Sequence, residues 1–596
     1  MPKLTGGQIV AQTLKNYGVP YVAGIPGHGI WSLTDAFLEE DSRIPFVQTF
    51  HEQSAVHLAD GYWRATGRPM AAVTSIGAGA SNTVIGMGTA FTDSTSCLVI
   101  TGGPPTHMRG HGLLQELDRY TANDFPKVAE AVSKRHWVVT RVEELPFVMH
   151  RCFNSMLTGR PGPVHLEVPM DVQAEAAEVD LHDLARRLPV GRQHPDPEAV
   201  ERAAEVLRGS RRPVIVVGGG AITAEAADDV LALAERWQIP VVTTWNGKGA
   251  FPEDHPLFAG SVGQTGTITG NRIASTADVV VSVGCRFTDW SASSYAKGIS
   301  FSIPEAKLIH IDIDPHEIGK NYPAEVGIVA DAQRAVAAIV TALPEKLPAP
   351  RSEYLAELET LQNEWEQKLA TRRDSDRFPF TSQRPLGALR NVLPRNAIIV
   401  AGSGNTQGAV KQTFPVYEPR THLTSGGFSS MGWAVPAAVG AKLGQPDRPV
   451  VCVLGDGDFL MTSQEIALSV TTGAPVIFVV QNNAGYMSIR GGQRKQTSRH
   501  IGTEFSYPDG RPYSPDFAAM GRSFGIESWK VEDDASLEPT LQKAVDSGAP
   551  ALIEVPTDRD AAGPWVPGWW DFPVPAYITD ERQDEYARNR ATEQHL

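Results

Sequence analysis

Cysteine is scarce: four residues in 596, Cys97, Cys152, Cys285 and Cys452, with no C-x-x-C pair and no nearby histidine cluster. That excludes a disulfide-stapled scaffold, a zinc ribbon and a thioredoxin-type redox pair. All four lie in apolar or mixed stretches and are expected to be buried free thiols of a reducing cytosol. Long apolar runs are missing too; none approaches the roughly 18 residues of a membrane-spanning helix. The opening residues, MPKLTGGQIV, lack a charged-then-apolar signal pattern, so a soluble cytoplasmic protein with no membrane partner is expected. Positive charge is in deficit. Lys plus Arg number 53 against 68 Asp plus Glu, a net charge of −15, which leaves no basic face for a phosphate backbone and excludes a nucleic-acid partner. No short-period repeat is present, which excludes a solenoid.

What is there is an alternation of short β-branched runs, Gly-rich turns and helical patterns, the mark of parallel α/β sheets. It falls into three blocks. Residues 1–180 hold YVAGIPG, PFVQTFH, MAAVTSIG, CLVITGG and PVHLEVP, with helices expected over Glu52 to Ala65 and Ala80 to Phe91. A polar, proline-gaining stretch, LHDLARRLPVGRQHPDPEA, reads as a linker. Residues 198–343 hold RPVIVVGGGA, PVVTTWNGKGAF, DVVVSVGCRF and KLIHIDIDP, followed by a second, charged linker. Residues 383–558 hold AIIVAGSG, PVVCVLGDG, PVIFVVQNN and PALIEVP, and a Trp- and Pro-rich tail occupies 559–596. The fold class is therefore α/β, three doubly wound parallel-sheet domains plus a C-terminal tail.

The strongest chemical signal is GDGDFLMTSQEIALSVTTGAPVIFVVQNN, from Gly455 to Asn483. One apolar strand runs into Gly455-Asp456-Gly457 and a second ends at Asn482-Asn483, so Asp456 and Asn483 stand at the carboxyl ends of two parallel strands, where open α/β sheets bind ligands. Mg²⁺ takes oxygen ligands in octahedral geometry and keeps phosphate oxygens among them. Asp456 offers a charged oxygen and Asn483 a neutral one. The glycines admit close backbone approach, and the helix that follows offers free N–H groups to a diphosphate.

At these residues the chain resembles the thiamine-diphosphate enzymes, most of all the branch containing acetolactate synthase, pyruvate oxidase and glyoxylate carboligase. The likeness extends from LTGGQIVAQTLKNYGV through GRPGPVHLEVP and AFPEDHPLFAG to PALIEVP. It implies a pyrimidine-binding first domain, a central domain and a diphosphate-binding third domain. The implied cofactors are thiamine diphosphate and Mg²⁺, the metal held by Asp456, Asn483 and the carbonyl of Gly485. Gly455, Gly457, Asp458, Tyr486, Met487 and Ile489 join the implied cofactor site.

Thiamine chemistry needs one partly desolvated acid at the pyrimidine ring. Glu52, in FHEQSAVHLADGYWRATG, starts a helix after an apolar strand, and this segment resembles the family's pyrimidine-domain signature. In SGGFSSMGWAVPAA, Gly427, the carbonyl of Ser429 and the side chain of Met431 match the positions that hold the cofactor bent; Ser429 stands where many relatives have glycine. Because Glu52 and Asp456 belong to different domains that meet across subunits in the family, the resemblance implies a homodimer at minimum, and a homotetramer is expected.

Around the reacting carbon, His28 in GIPGHGIW is a candidate proton exchanger. Gln115 in GLLQELD matches a substrate-facing residue of the family. Gly27, Ile76, Gly77 and Ala484 are the candidate pocket for a small carbonyl substrate. After Asn483 the chain reads AGYMSIRGGQ, without the acetolactate synthase pattern of acidic residues, Met, Val and a gating Trp, which counts against that enzyme's 2-oxobutyrate selectivity. In the middle block Gly218, Gly219, Arg286 and Asp312 match positions that hold FAD in some relatives, so FAD is a candidate cofactor. The tail WWDFPVP resembles the end of the trihydroxycyclohexanedione hydrolases, and Trp565, Trp569 and Trp570 are expected over the cofactor mouth or, equally, at a subunit interface. The leading expectation is a carboligase or decarboxylase acting on a 2-oxo acid or ketone through ylide attack and an enamine. A hydrolase opening a cyclic diketone and a non-catalytic nucleotide-binding regulatory subunit are the alternatives.

Overall fold

The computed structural model describes residues 2–117, 124–181, 188–189, 191–561 and 563–593; residues 182–187 and 190 of the first linker thus lie outside the described residues. Eighteen of the strands form three six-stranded parallel sheets. Their central strands are apolar on both faces because helices cover both sides. The first domain carries β1 (Lys3–Thr5), β2 (Val22–Ile25), β3 (Phe46–Gln48), β4 (Met70–Thr74), β5 (Cys97–Gly103), β6 (Arg135–Val138), β7 (Val164–Pro169) and β8 (Ala176–Glu178). Its sheet runs β3-β2-β4-β5-β7-β6, and β1 pairs with β8 as a separate antiparallel ribbon.

The central domain carries β9 (Pro213–Val217), β10 (Val241–Thr243), β11 (Phe258–Ser261), β12 (Val279–Val283), β13 (Lys307–Asp312) and β14 (Val326–Val329), in the order β11-β10-β9-β12-β13-β14. The third carries β15 (Ile398–Ala401), β16 (His422–Thr424), β17 (Val450–Gly455), β18 (Ile477–Asn482), β19 (Glu527–Lys530) and β20 (Ala551–Pro556), in the order β16-β15-β17-β18-β20-β19. Numbered within each domain, the first and third sheets share one strand order, 2-1-3-4-6-5. The chain therefore builds the same ligand-binding edge twice. In each, the order reverses between the first and third strands, and that reversal opens a crevice at the carboxyl edge.

These two domains share one core. The helix Glu52–Thr66 of the first crosses the helix Ala434–Gly444 of the third, and side chains of both lie in a single buried cluster. The crossing is backbone on backbone: a Cβ on Gly61 would fall 2.0 Å from the Ala437 carbonyl oxygen, and one on Gly440 would fall 2.0 Å from that of Leu58. Only glycine fits at either contact. The helix expected over residues 80–91 is interrupted: Ala78–Ser81 forms one turn and Val84–Thr92 a second helix. All four cysteines are buried and free. Among the described residues, no helix is long and apolar enough to cross a membrane.

Candidate active site

β17 and β18 pair in register, Gly455 against Gln481, so the GDG turn and the NN turn emerge side by side at the crevice of the third domain. Asp456 is buried, and one of its oxygens, Oδ2, accepts from the Gly485 amide at 3.0 Å. Among the described residues its Oδ1 is buried without a partner, and so is Oδ1 of Asn483. Burial pushes the Asp456 carboxyl up to about 6 against the pull of the Gly485 amide. Two bare buried oxygens on adjacent strand ends are costly alone. Asp, Asn and a backbone carbonyl form an all-oxygen donor set suited to a hard divalent cation.

The glycines beside Asp456 differ in purpose. A Cβ on Gly455 would meet nothing closer than Thr406 Oγ1 at 4.0 Å, so this position opens onto free space. A Cβ on Gly457 would fall 2.5 Å from the Tyr486 ring, which packs edge-on against Phe505. Asp458 spends its carboxylate inside the protein, accepting from the amides of Ser403 and Gly432. Burial raises it to about 6. Those two hydrogen bonds tie the Ser403 turn to the loop that carries Gly432. Met487, the first residue of the helix Met487–Thr497, is buried, and Ile489, two residues on in the same turn, is exposed.

Ser429 has φ +52°, a left-handed conformation that explains why glycine is favoured there. Its carbonyl and that of Ser430 accept from Ser403 Oγ at 2.8 and 3.0 Å. Ser403 lies in the turn after β15, in AGSGN, at the same crevice, and the helix Asn405–Thr413 starts just behind it. Motif reading missed this turn; its signal was a strand ending in G-x-G. Met431 follows, half-buried. The whole segment is anchored by a buried network. Arg64 pairs with Asp60 and Asp93 and donates to the Thr424 carbonyl at 2.7 Å. Asp93 in turn accepts from the Gly427 amide and from Asn246 of the central domain, each at 3.0 Å. All three domains meet at this joint.

The first-domain edge gathers the other candidates. Glu52 begins its helix, with His51 as N-cap, and its Oε2 accepts from Asn82 at 2.9 Å. A Cβ on Gly79 would lie 3.2 Å from Glu52 Oε1, so Gly79 keeps that oxygen accessible. His28 and Gly27 follow β2, and Ile76 and Gly77 follow β4, on the two sides of the sheet's reversal. The Gly29 amide donates to Ser75 Oγ, and Gly77 lies against the Gln115 carbonyl, whose Gln side chain is exposed. The structure thus brings His28, Ile76, Gly77 and Gln115 to one edge. Among the described contacts of Glu52 within the chain, neither Asp456 nor Asn483 appears. A further acid was missed: Glu465 is buried under the Phe50 amide, which lies 3.2 and 3.3 Å from its two oxygens, and burial raises it to about 7. It follows the GDG motif in SQEI, where it reads as one more helical acid.

Comparison with known proteins fits this geometry. Residues 4–122 match the family model described as the thiamine pyrophosphate enzyme N-terminal TPP binding domain, 200–339 its central domain and 402–555 its C-terminal TPP binding domain. The chain is 34% identical over 581 residues to the probable acetolactate synthase large subunit of Methanocaldococcus jannaschii, covering 95% of this chain and 94% of that one. It is 32% identical over 566 residues to the acetolactate synthase isozyme 1 large subunit of Escherichia coli, with 95% and 96% covered. The chain belongs to the thiamine pyrophosphate enzyme family. As in its family models, two of the three domains are TPP-binding, and they are the two that share a strand order.

In this thiamine pyrophosphate enzyme the central domain has its own carboxyl-edge cluster. Trp245 Nε1, Asn246 Oδ1 and Gln264 Oε1 are buried there without partners. The glycines expected to admit FAD are filled by protein: a Cβ on Gly218 would fall 2.1 Å from the Gly284 carbonyl, and one on Gly219 would fall 3.0 Å from Asn246 Cβ. Arg286 is half-buried, and Asp312 is buried, raised to about 6 by burial, with Oδ1 accepting from the Asp314 amide. The tail tryptophans pack on other parts of the chain. Trp565 packs on Trp365 and under Arg372 of the second linker. Trp570 packs on Trp290 and donates to Asp289, and Trp569 lies beside Tyr586. Their apolar partners are on the central domain, the linker and the tail itself, which is why the rings settle there and not over Asp456.

Proposed function

We propose that this chain is a thiamine-diphosphate- and Mg²⁺-dependent carboligase or decarboxylase of the acetolactate synthase type, with a 2-oxo acid as donor. The observation that carries the metal half is the pair of bare buried oxygens, Asp456 Oδ1 and Asn483 Oδ1, on neighbouring strand ends. With the carbonyl of Gly485 they would hold Mg²⁺, and the open space at Gly455 admits a diphosphate. Bound thiamine diphosphate supplies the carbanion and electron sink for making or breaking a bond beside a carbonyl.

The chain's own residues do the rest. Asn82 fixes one oxygen of Glu52 and leaves Oε1 to share a proton with the pyrimidine ring. The Ser429 carbonyl and the Met431 side chain would hold the cofactor at this crevice. His28 exchanges a proton with the substrate oxygen, Gln115 orients the substrate, and Ile76, Gly77 and Ala484 keep the pocket small and dry.

Glu52 of one subunit would complete the site of another. Phe50, Phe428, Leu460 and Met461 are exposed apolar side chains close in sequence to Glu52, Met431 and Asp456, as an interface between copies requires. Light scattering reads the dimer or tetramer directly. At the central edge, the unpartnered Trp245, Asn246 and Gln264 fit a ligand rich in hydrogen-bonding groups, with FAD the one to try. A yellow purified protein with a flavin spectrum supports it; a colourless enzyme of full activity removes it.

The deciding experiment supplies pyruvate, Mg²⁺ and thiamine diphosphate and follows CO₂ release and acetolactate or acetoin formation. Turnover there supports the carboligase. Turnover of a cyclic dione with pyruvate untouched would replace it with the ring-opening hydrolase, the reading the tail suggested. Inertness toward both, with the cofactor bound, would leave the regulatory-subunit reading.

A further inference from the structure

We infer that Arg559, in the first turn of the C-terminal tail, is a positioning residue for the metal site; the inference rests on the Mg²⁺ reading above. β20 ends at Pro556, and the tail begins beside β18, with the Thr557 amide donating to the Asn482 carbonyl at 2.8 Å. Two residues later the Arg559 guanidinium reaches back over the NN turn. Nη2 donates to the Ala484 carbonyl at 2.7 Å and Nε to the Asn483 carbonyl at 3.3 Å.

Peptide planarity gives these contacts their consequence. In a trans peptide the C=O and N–H point in opposite directions. The peptide unit between Ala484 and Gly485 is therefore pinned at both ends: its carbonyl on Arg559, its N–H on Asp456 Oδ2 at 3.0 Å. Holding that unit turns Asp456 so that Oδ2 is used and Oδ1 is left bare. The second contact, on the Asn483 carbonyl, fixes the backbone from which the bare Asn483 Oδ1 projects.

The turn needs holding. Ala484 has φ +54°, a left-handed conformation unfavourable for a residue with a Cβ. Part of the support comes from Phe505, whose amide shares the Ala484 carbonyl at 2.9 Å. Asn482 Oδ1 accepts from the Ala484 amide at 3.2 Å, and Arg559, among the described residues the one guanidinium on the turn's carbonyls, is itself locked. Its own carbonyl accepts from Arg490 Nη1 at 3.0 Å, and the same Arg490 nitrogen reaches Asp560 at 2.8 Å. Arg490 is buried and lies on the helix Met487–Thr497 that follows the turn. The tail thus closes a loop, from β20 over the metal turn and back onto the helix behind it.

The test uses the full-length protein and Mn²⁺ as the metal probe with thiamine diphosphate present. Free Mn²⁺ is read by electron paramagnetic resonance and thiamine diphosphate by calorimetry. In Arg559→Met, Mn²⁺ affinity is expected to fall about tenfold or more, as when an outer-sphere partner of a metal ligand is lost. Turnover at saturating Mg²⁺ is expected to stay within about twofold, since the turn is rebuilt once the metal binds. Arg559→Lys keeps one donor for the Ala484 carbonyl and should recover part of the affinity; it decides the matter if Arg559→Met does not fold. A folded variant that binds Mn²⁺ as the wild type does overturns the role of Arg559. A wild-type protein that binds neither Mn²⁺ nor thiamine diphosphate overturns the metal reading itself, and the inference with it.

Discussion

Arg64 Nη2 lies 3.0 Å from Asp93 Oδ2 inside the first domain, and Asp93 Oδ1 in turn accepts from the Gly427 amide of the loop that carries Ser429 and Met431. The Arg64 side chain is 11% exposed and the Asp93 side chain 0%, so little solvent relieves either charge. Asp60, on the other side of Arg64, accepts from Thr95 and Trp433 as well, each at 2.7 Å. The DGYWRATG segment, read in sequence as a mere signature, thus acts as the anchor of a loop in another domain.

Arg64→Met should expose the cost of that anchor. It leaves Asp60 and Asp93 buried without their cation, a loss of about 3 kcal/mol or more for a buried pair. The urea midpoint should fall at constant m-value, and thiamine diphosphate affinity should weaken with it. A variant as stable as the wild type would mean that the network is dispensable.

Glu52→Gln keeps the size of the side chain and its bond to Asn82 but removes the acid. Turnover of pyruvate should drop by about a hundredfold or more, while calorimetric binding of thiamine diphosphate with Mg²⁺ changes little. Equal losses in binding and turnover would assign Glu52 to holding the cofactor and not to the chemistry.

Metal and cofactor should stabilise the fold by mass action. At a concentration 100 times its Kd, a ligand adds about 2.7 kcal/mol, visible as a rise in Tm on adding Mg²⁺ with thiamine diphosphate and reversed by EDTA. Asp456→Ala should abolish the rise. The same rise in that variant would place the metal elsewhere.

Acid stability should report the buried histidines. His165 is buried with Nδ1 unpartnered and Nε2 on Thr101, and burial pulls it down to about 3. A histidine depressed in the folded state contributes stability that is fully present above its unfolded value near 6.5 and is lost as pH falls toward 3, by up to about 1.4 kcal/mol per unit. The carboxyls of Asp456, Asp458 and Glu465, all raised by burial, act in the opposite sense. The quantity to read is therefore wild type minus His165→Gln across pH 3 to 6.5. A flat difference would mean that His165 is solvated when folded.

The apolar pattern marked the inner strands of each sheet and passed over β6, β11, β14, β16 and β19. All five are edge strands. An edge strand has a neighbour on one side only, so it is short and carries mixed residues: RHWV of β6 and ESWK of β19 look like surface segments. The interrupted helix at 82–83 was illegible for a similar reason, since Asn82 is set by its bond to Glu52. The candidate site was legible wherever a motif is local. Asp456 and Asn483 sit on one strand–helix–strand unit, and spacing alone put them at adjacent strand ends.

The sequence by itself determined the cofactor chemistry and the three-sheet plan, because both rest on short contiguous segments whose period and turn residues are local properties. Only the tertiary structure decided which carboxylate oxygens of the site are left bare, where the tail tryptophans settle, and that Arg64 and Arg559 brace loops far from their own positions in the chain. Those outcomes depend on contacts between residues tens to hundreds of positions apart, such as Arg64 with Thr424 and Arg559 with Ala484. Packing and hydrogen-bond satisfaction settle such contacts only when the whole chain has closed on itself.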